Sequence, residues 1–161
     1  MTNSIPLRFG YQASDWNGFS SDAYVQEAAA YDYSLSADRY AKTVGSLLMV
    51  RPRVLGSLAM DTDHKKRIVP INLGETMQAT DEYSIELPEG YVVDEIPDPV
   101  KLDLGFAAYQ SSLEVKGNTL HYTRTYTVRE VTLPADRYAD VQKLAGVIAA
   151  DEESRAVLKK Q

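Results

Sequence analysis

Three groups of side chains in this sequence are of types that do chemistry. Asp61, Asp63 and His64 fall together in one short stretch, as at the start of a metal-binding loop. A calcium loop built on them needs further oxygen ligands, a central glycine and a glutamate at the twelfth position. The next residues are instead Lys65, Lys66 and Arg67, whose charge repels a divalent cation and disfavours a proton on His64. The expectation is a solvated charged loop without a metal.

Asp94, Glu95, Asp98 and Asp103 form an acidic group. Two carboxylates can run glycoside hydrolysis when a cleft holds them at a fixed separation. The plainer expectation is an acidic sheet edge, where charge blocks edge-to-edge pairing. His121 with Glu114 has the composition of half a catalytic triad. The hairpin register derived below puts both on a wet face, as a cross-strand pair without a local nucleophile. No Gly-x-Ser-x-Gly elbow, P-loop, Gly-x-Gly-x-x-Gly or His-Glu-x-x-His occurs. The eleven tyrosines, with Trp16 and Phe19, could line a platform for sugar or peptide. Most of those that can be placed fall on the apolar face, which favours a core.

These residues need elements to hold them, and the elements read as β. Ile5 to Tyr11 forms a first strand, and Trp16 to Ser21 a loop around Asn17-Gly18. Tyr31, Tyr33 and Leu35 alternate with polar residues as a half-buried strand. Gly45-Ser46 turns the chain into Leu47 to Val50, and Arg51-Pro52-Arg53 ends that strand because proline lacks an N–H. Ile68 to Leu73 follows the charged loop as a short strand. Tyr83, Ile85 and Leu87 alternate in another, before a type I turn over Leu87-Pro88-Glu89-Gly90. Tyr91 to Val93 and Val100 to Leu104 flank an irregular edge at Pro97 and Pro99.

The hairpin from Phe106 to Thr132 is the clearest element. A two-residue Gly117-Asn118 loop suits a type II′ turn with φ > 0 at the glycine. The register then pairs Val115 with Leu120, Leu113 with Tyr122 and Tyr109 with Tyr126 on one face. The other face pairs Glu114 with His121, Ser112 with Thr123 and Gln110 with Thr125. Arg124, opposite Ser111, breaks the apolar face, and belongs near a sheet edge or beside a carboxylate.

One helix is predicted over about 135–152. Pro134 suits its start, and Tyr138, Val141, Leu144, Ala145 and Ile148 make one apolar stripe that should be buried, with Asp140 and Lys143 exposed. Asp151, Glu152 and Glu153 oppose the helix dipole at its C-terminus. A terminal strand follows at about 155–159. The fold class is mainly β: an antiparallel β-sandwich-like domain with one C-terminal α-helix packed on it, as a single domain over 1–161.

Composition sets the limits. A chain of 161 residues, 44% hydrophobic, buries ~70% of its unfolded surface. A net charge of −6 without a Lys/Arg block argues against nucleic acid. No apolar run reaches the ~18 residues of a membrane span. Residues Met1 to Pro6 lack a signal-peptide pattern. The absence of cysteine excludes disulfides, thiolate metal sites and a cysteine nucleophile in this chain. Two histidines exclude a three-histidine site. No catalytic, cofactor-binding or metal residue is assigned, and no cofactor is expected.

The later part of the chain resembles a known arrangement. Ile85-Glu86-Leu87-Pro88-Glu89-Gly90-Tyr91 is followed by Glu95-Ile96-Pro97, Tyr109, the strand Leu120-His121-Tyr122-Thr123-Arg124 and the helix near Tyr138. The chain closes on Ala156-Val157-Leu158-Lys159-Lys160. With Arg51-Pro52 and Arg67-Ile68-Val69-Pro70, this order resembles the C-terminal β domain, of unknown function, of large bacterial transglutaminase-like proteins. The likeness runs from Arg51 to Lys160, and more faintly from Ile5 to Val50. In such proteins a Cys/His/Asp core precedes the β domain, so none of its catalytic residues maps onto this chain. The resemblance implies an excised C-terminal domain with an added or internal Met1. It also implies a periplasmic or extracellular setting. The function it implies is non-catalytic: packing on, or shaping, the parent's own catalytic domain. The alternative is an envelope glycan- or peptide-binding module.

Overall fold

The computed structural model describes residues 40–54, 56–58, 60, 62 and 67–161 in full, and the backbone pairing of residues 4–15 and 27–38. The elements run β1 (Ser4–Asp15), β2 (Glu27–Asp38), β3 (Lys42–Val44), β4 (Leu47–Val50), β5 (Ile71–Asn72) and β6 (Met77–Glu86). Then come β7 (Tyr91–Glu95), β8 (Val100–Asp103), β9 (Ala107–Lys116), β10 (Thr119–Val128) and β11 (Thr132–Leu133). A 3-10 turn (Ala135–Arg137) leads into α1 (Tyr138–Glu152), and β12 (Ala156–Lys160) follows. The fold is mainly β and antiparallel, as expected, with the single helix at the predicted place.

A large sheet has the order β2-β1-β6-β10-β9-β8, a smaller one β3-β4-β12-β7, and β5 pairs with β11. The hairpin register matches the expectation at every pair, from Val115 with Leu120 to Tyr109 with Tyr126. Gly117 has φ 60°, which a two-residue hairpin loop requires. Period-two alternation is strict on β10, where Leu120, Tyr122, Arg124, Tyr126 and Val128 are buried and the residues between them half-buried.

Two covering layers share the inner face of the large sheet. At one end, Leu48 and Val50 of β4 and Ala156 and Leu158 of β12 pack on Tyr83, Ile85, Leu113, Leu120 and Tyr122. At the other end, Tyr138, Val141, Leu144 and Ile148 of α1 pack on Phe106, Tyr109, Tyr126 and Val128. The buried helix stripe is the predicted one, with Leu144 and Ile148 at 0% exposure.

Several expectations are corrected. The strand expected over Ile68 to Leu73 shrinks to Ile71–Asn72, since Pro70 offers no N–H and Ile68 is 87% exposed. The turn after β6 lies one residue further on. Tyr91 N–H donates to the Pro88 carbonyl at 3.2 Å, and Gly90 at φ 79° gives the third position the mark of type II. Leu87 is instead tied to the hairpin tip, through Asn118 O at 2.8 Å and Asn118 Nδ2 at 3.0 Å. Asp140 is half-buried, since Arg137 Nε donates to it at 2.7 Å. Val115 sits on the apolar phase yet is 42% exposed, being near the hairpin tip. The Trp16 to Ser21 loop lies outside the described residues.

Candidate functional site

A polar row crosses the inner face where the two covering layers meet. Asp81 of β6, Arg124 of β10 and Ser111 of β9 are cross-strand partners, and all three are buried. The row separates the two apolar clusters. The C-terminal turn of α1 lands on it with Asp151 and Glu152, also buried.

Asp151 accepts three hydroxyl hydrogen bonds, from Tyr109 at 2.5 Å, Tyr122 at 2.7 Å and Ser111 at 2.8 Å. Tyr122 belongs to one apolar cluster and Tyr109 to the other. Burial first, then the bond to Asp151, pushes the Tyr109 phenol well above its ordinary range. Burial and the neighbouring Tyr109 do the same to Tyr122. Both therefore stay protonated as donors, which a buried carboxylate needs in place of water.

Arg124 bridges Asp81 and Glu152. Its Nε and Nη2 reach Asp81 Oδ2 at 2.6 and 2.5 Å, and its Nη1 reaches Glu152 Oε1 at 2.8 Å. Glu152 also takes the Leu58 N–H at 2.7 Å and the Ser57 hydroxyl at 2.8 Å, with Arg53 Nη1 at 3.6 Å. Burial opposes its ionisation, but these donors and the two guanidiniums hold its carboxyl below the usual range. Residues 51–54 and 56–58 are thus strapped across the row. A Cβ on Gly56 would lie 3.6 Å from Arg124 Nη2, and Arg51 pairs with Glu153 at 2.7 Å. Tyr40 anchors the start of the strap, its hydroxyl donating to the carbonyls of Arg51 at 2.6 Å and Arg53 at 3.0 Å.

This arrangement clamps three parts of the chain together. The three carboxyl groups of the row face guanidiniums or hydroxyls, while Arg53 Nε is buried without a hydrogen-bond partner among the described residues. Sequence reasoning treated Asp151 and Glu152 as misfits to the helix dipole and placed Arg124 at a sheet edge or beside a carboxylate. The carboxylate partner is present, but β10 is an interior strand, so the edge alternative is wrong. Asp81 was legible and was missed: it falls in the buried phase of Ala79, Tyr83 and Ile85.

The sequence candidates are dispersed. Asp61, Asp63 and His64 lie outside the described residues. Asp94 and Glu95 sit on β7 in the small sheet and Asp103 on β8 in the large one, so the acidic group does not form one pair. Asp94 takes Lys159 Nζ at 2.6 Å. Arg129 grips Asp103 with two bonds, at 2.8 and 3.0 Å, and with the Gly105 N–H holds its carboxyl down to about 2. Among the described residues, no three His, Asp or Glu side chains are placed to hold a metal. Of the described tyrosines, Tyr83, Tyr109, Tyr122, Tyr126 and Tyr138 are buried, and Tyr40 and Tyr91 are half-buried.

His121 does have a hydroxyl beside it, contrary to expectation: Ser84 Oγ lies 3.0 Å from its Nδ1. Ser84, His121 and Glu114 are successive cross-strand partners on β6, β10 and β9. Glu114, however, binds Lys116 at 2.8 Å, and it makes no ion pair with His121 among the described residues. The row crosses β6, β10 and β9 of the large sheet, and β8 flanks β9 only from Ala108 to Ser111, short of Glu114.

The family described as a domain of unknown function with a solved structure, DUF3858, matches residues 47–158, well over half of the chain. The chain belongs to the DUF3858 family. No curated protein and no solved structure matches it. The DUF3858 span opens at β4 and closes in β12, and it holds Asp81, Ser111, Arg124, Asp151 and Glu152.

Proposed function

We propose that this DUF3858 domain is a non-catalytic accessory domain of a larger exported bacterial transglutaminase-like protein, packing on its catalytic domain or shaping its cleft. The observation that carries this reading is the use of the charged interior. Asp81, Arg124, Glu152 and Asp151 are all engaged in clamping helix, strap and sheet together. A rigid β body with its reactive groups turned inward suits a scaffold. The motif order from Ile85 to Lys160 supports the transglutaminase-like context. Ile68 and Val69, 87% and 56% exposed and followed by exposed Pro70, give such a body an apolar contact segment.

The test begins with the coding sequence upstream of Met1, where a signal peptide and a Cys/His/Asp core are expected. That core, made as a separate chain, should bind this one, and Ile68→Asp with Val69→Asp should weaken binding at least ~10-fold. An upstream region without the core, or a core that fails to associate, overturns the reading. So does glutamine–amine cross-linking, peptide hydrolysis or glycan hydrolysis by this chain alone that disappears in Ser84→Ala or His121→Ala.

A further inference from the structure

The outer face of the large sheet carries a depression of about 220 Å³ at its β8 edge. Two cross-strand rows build it. Lys101, Gln110 and Thr125 form one row; Asp103, Ala108 and Thr127 form the next. Ala108 is the small member of its row, and its short side chain leaves the floor open between longer neighbours.

The charges there are unequal in availability. Asp103 and Arg129 neutralise each other through two parallel bonds, and the Gly105 carbonyl takes a further one from Arg129 at 2.9 Å. Lys101 is exposed and makes no salt bridge among the described residues, although its charge reaches Asp103 and helps to hold that carboxyl down. The depression therefore carries two cations against one carboxylate, with the Lys101 ammonium outside the paired bonds, on a chain whose net charge is −6. Beside it stand an amide, Gln110, and two hydroxyls, Thr125 and Thr127; the Thr125 hydroxyl is steadied by Thr80 at 3.1 Å. Tyr109 also borders the space, but its hydroxyl is committed to Asp151 on the opposite face. Ring stacking, the usual grip on a neutral sugar, is thus not on offer.

We infer that this depression binds a carboxylate-bearing sugar. Lys101 takes the carboxylate as a charge-assisted partner, and Gln110, Thr125 and Thr127 take ring hydroxyls. The volume is below the ~300–1,000 Å³ of drug-sized pockets, so a single ring fits rather than an extended chain. The inference does not depend on the accessory-domain reading, because its test uses this chain alone.

The test is an NMR titration of the full chain with galacturonate, its short oligomer, galactose and acetate. Galacturonate should give saturable shifts at the amides of residues 101, 108, 110, 125 and 127, with a Kd in the ~1–10 mM range. Galactose and acetate should each bind at least ~10-fold more weakly, and Lys101→Met should cost galacturonate a similar factor. The melting temperature of Lys101→Met should stay that of the parent, since the side chain is exposed. Thr127→Val serves as a second variant and should weaken galacturonate but not acetate. Tighter binding of the oligomer assigns the site to a polymeric glycan, and equal binding per ring to a free sugar acid; both support the inference. No saturable shift up to ~50 mM, equal binding of galactose or acetate, or an unchanged Kd in Lys101→Met overturns it.

Discussion

The Tyr109 hydroxyl donates a 2.5 Å hydrogen bond to Asp151, forty-two positions later in the chain. Tyr109 stands on the sheet and Asp151 on the last turn of the helix. Three residues after α1 carry the chain into the small sheet at β12. The bond therefore fixes the place where the chain passes from one covering layer to the other.

Replacing Asp151 by Ala should cost ~2–4 kcal/mol, because three buried hydroxyls lose their shared acceptor. Tyr109→Phe and Tyr122→Phe should each cost less, ~1–2 kcal/mol, and their double variant should depart from additivity because both share one carboxylate. Urea unfolding measures all four. A loss below ~0.5 kcal/mol for Asp151→Ala would detach the helix end from the sheet and refute the clamp.

Arg124→Met should cost ~3–5 kcal/mol, since Asp81 and Glu152 are left charged and buried without their shared partner. Arg124→Lys should recover little of that loss. A single ammonium cannot reach both carboxylates as the guanidinium does with its Nε, Nη1 and Nη2. A lysine variant as stable as the parent would show that charge alone, not the planar fork, matters at this position.

The hairpin tip offers a third comparison. Gly117→Val should cost ~1–3 kcal/mol because φ 60° is a strained conformation for a β-branched residue. Asn118→Ala should cost less, ~0.5–1.5 kcal/mol, for the single bond from its Nδ2 to the Leu87 carbonyl. The reverse order in thermal or urea melts would disprove the two-residue loop.

Much of the fold was legible because its signals are local. Gly117-Asn118 and the alternation on either side of it fix the register of β9 and β10, and a one-residue slip would have inverted both faces. The helix stripe is similarly local. The clamp is not, because it joins residues of five segments: β6, β9, β10, α1 and the strap. Arg124, Asp151 and Glu152 each read as a misfit to their own element, and only the tertiary structure shows Arg124 joined to Glu152 and Asp81, with Asp151 held by three hydroxyls. The turn at Gly90 failed for a smaller reason. Glycine suits both the third and the fourth turn position, and the sequence does not choose between them.

The pH dependence of stability should follow from the groups the fold holds. Glu152 in the interior, like Asp103 and Glu114 at the surface, has its carboxyl held below the ordinary range in the folded state. Its contribution is therefore fully present above the unfolded value of ~4.3 and is lost as pH falls through the depressed folded one. The alkaline side has the opposite sign. Burial pushes Tyr40 up to about 12, against the pull of Arg51 and Arg53, and it raises Tyr109, Tyr122 and Tyr126 as well. Folding then keeps protons that the unfolded chain releases above ~10, so stability is complete below that pH and declines as pH rises toward 12. Urea midpoints across pH should show a plateau from ~5 to ~10 with a falling limb on each side. Glu152→Gln should lower the plateau and flatten the acid limb, and Tyr40→Phe should flatten the alkaline one. If the acid limb keeps its slope in Glu152→Gln, the charge on that carboxyl is not what holds the strap to the helix.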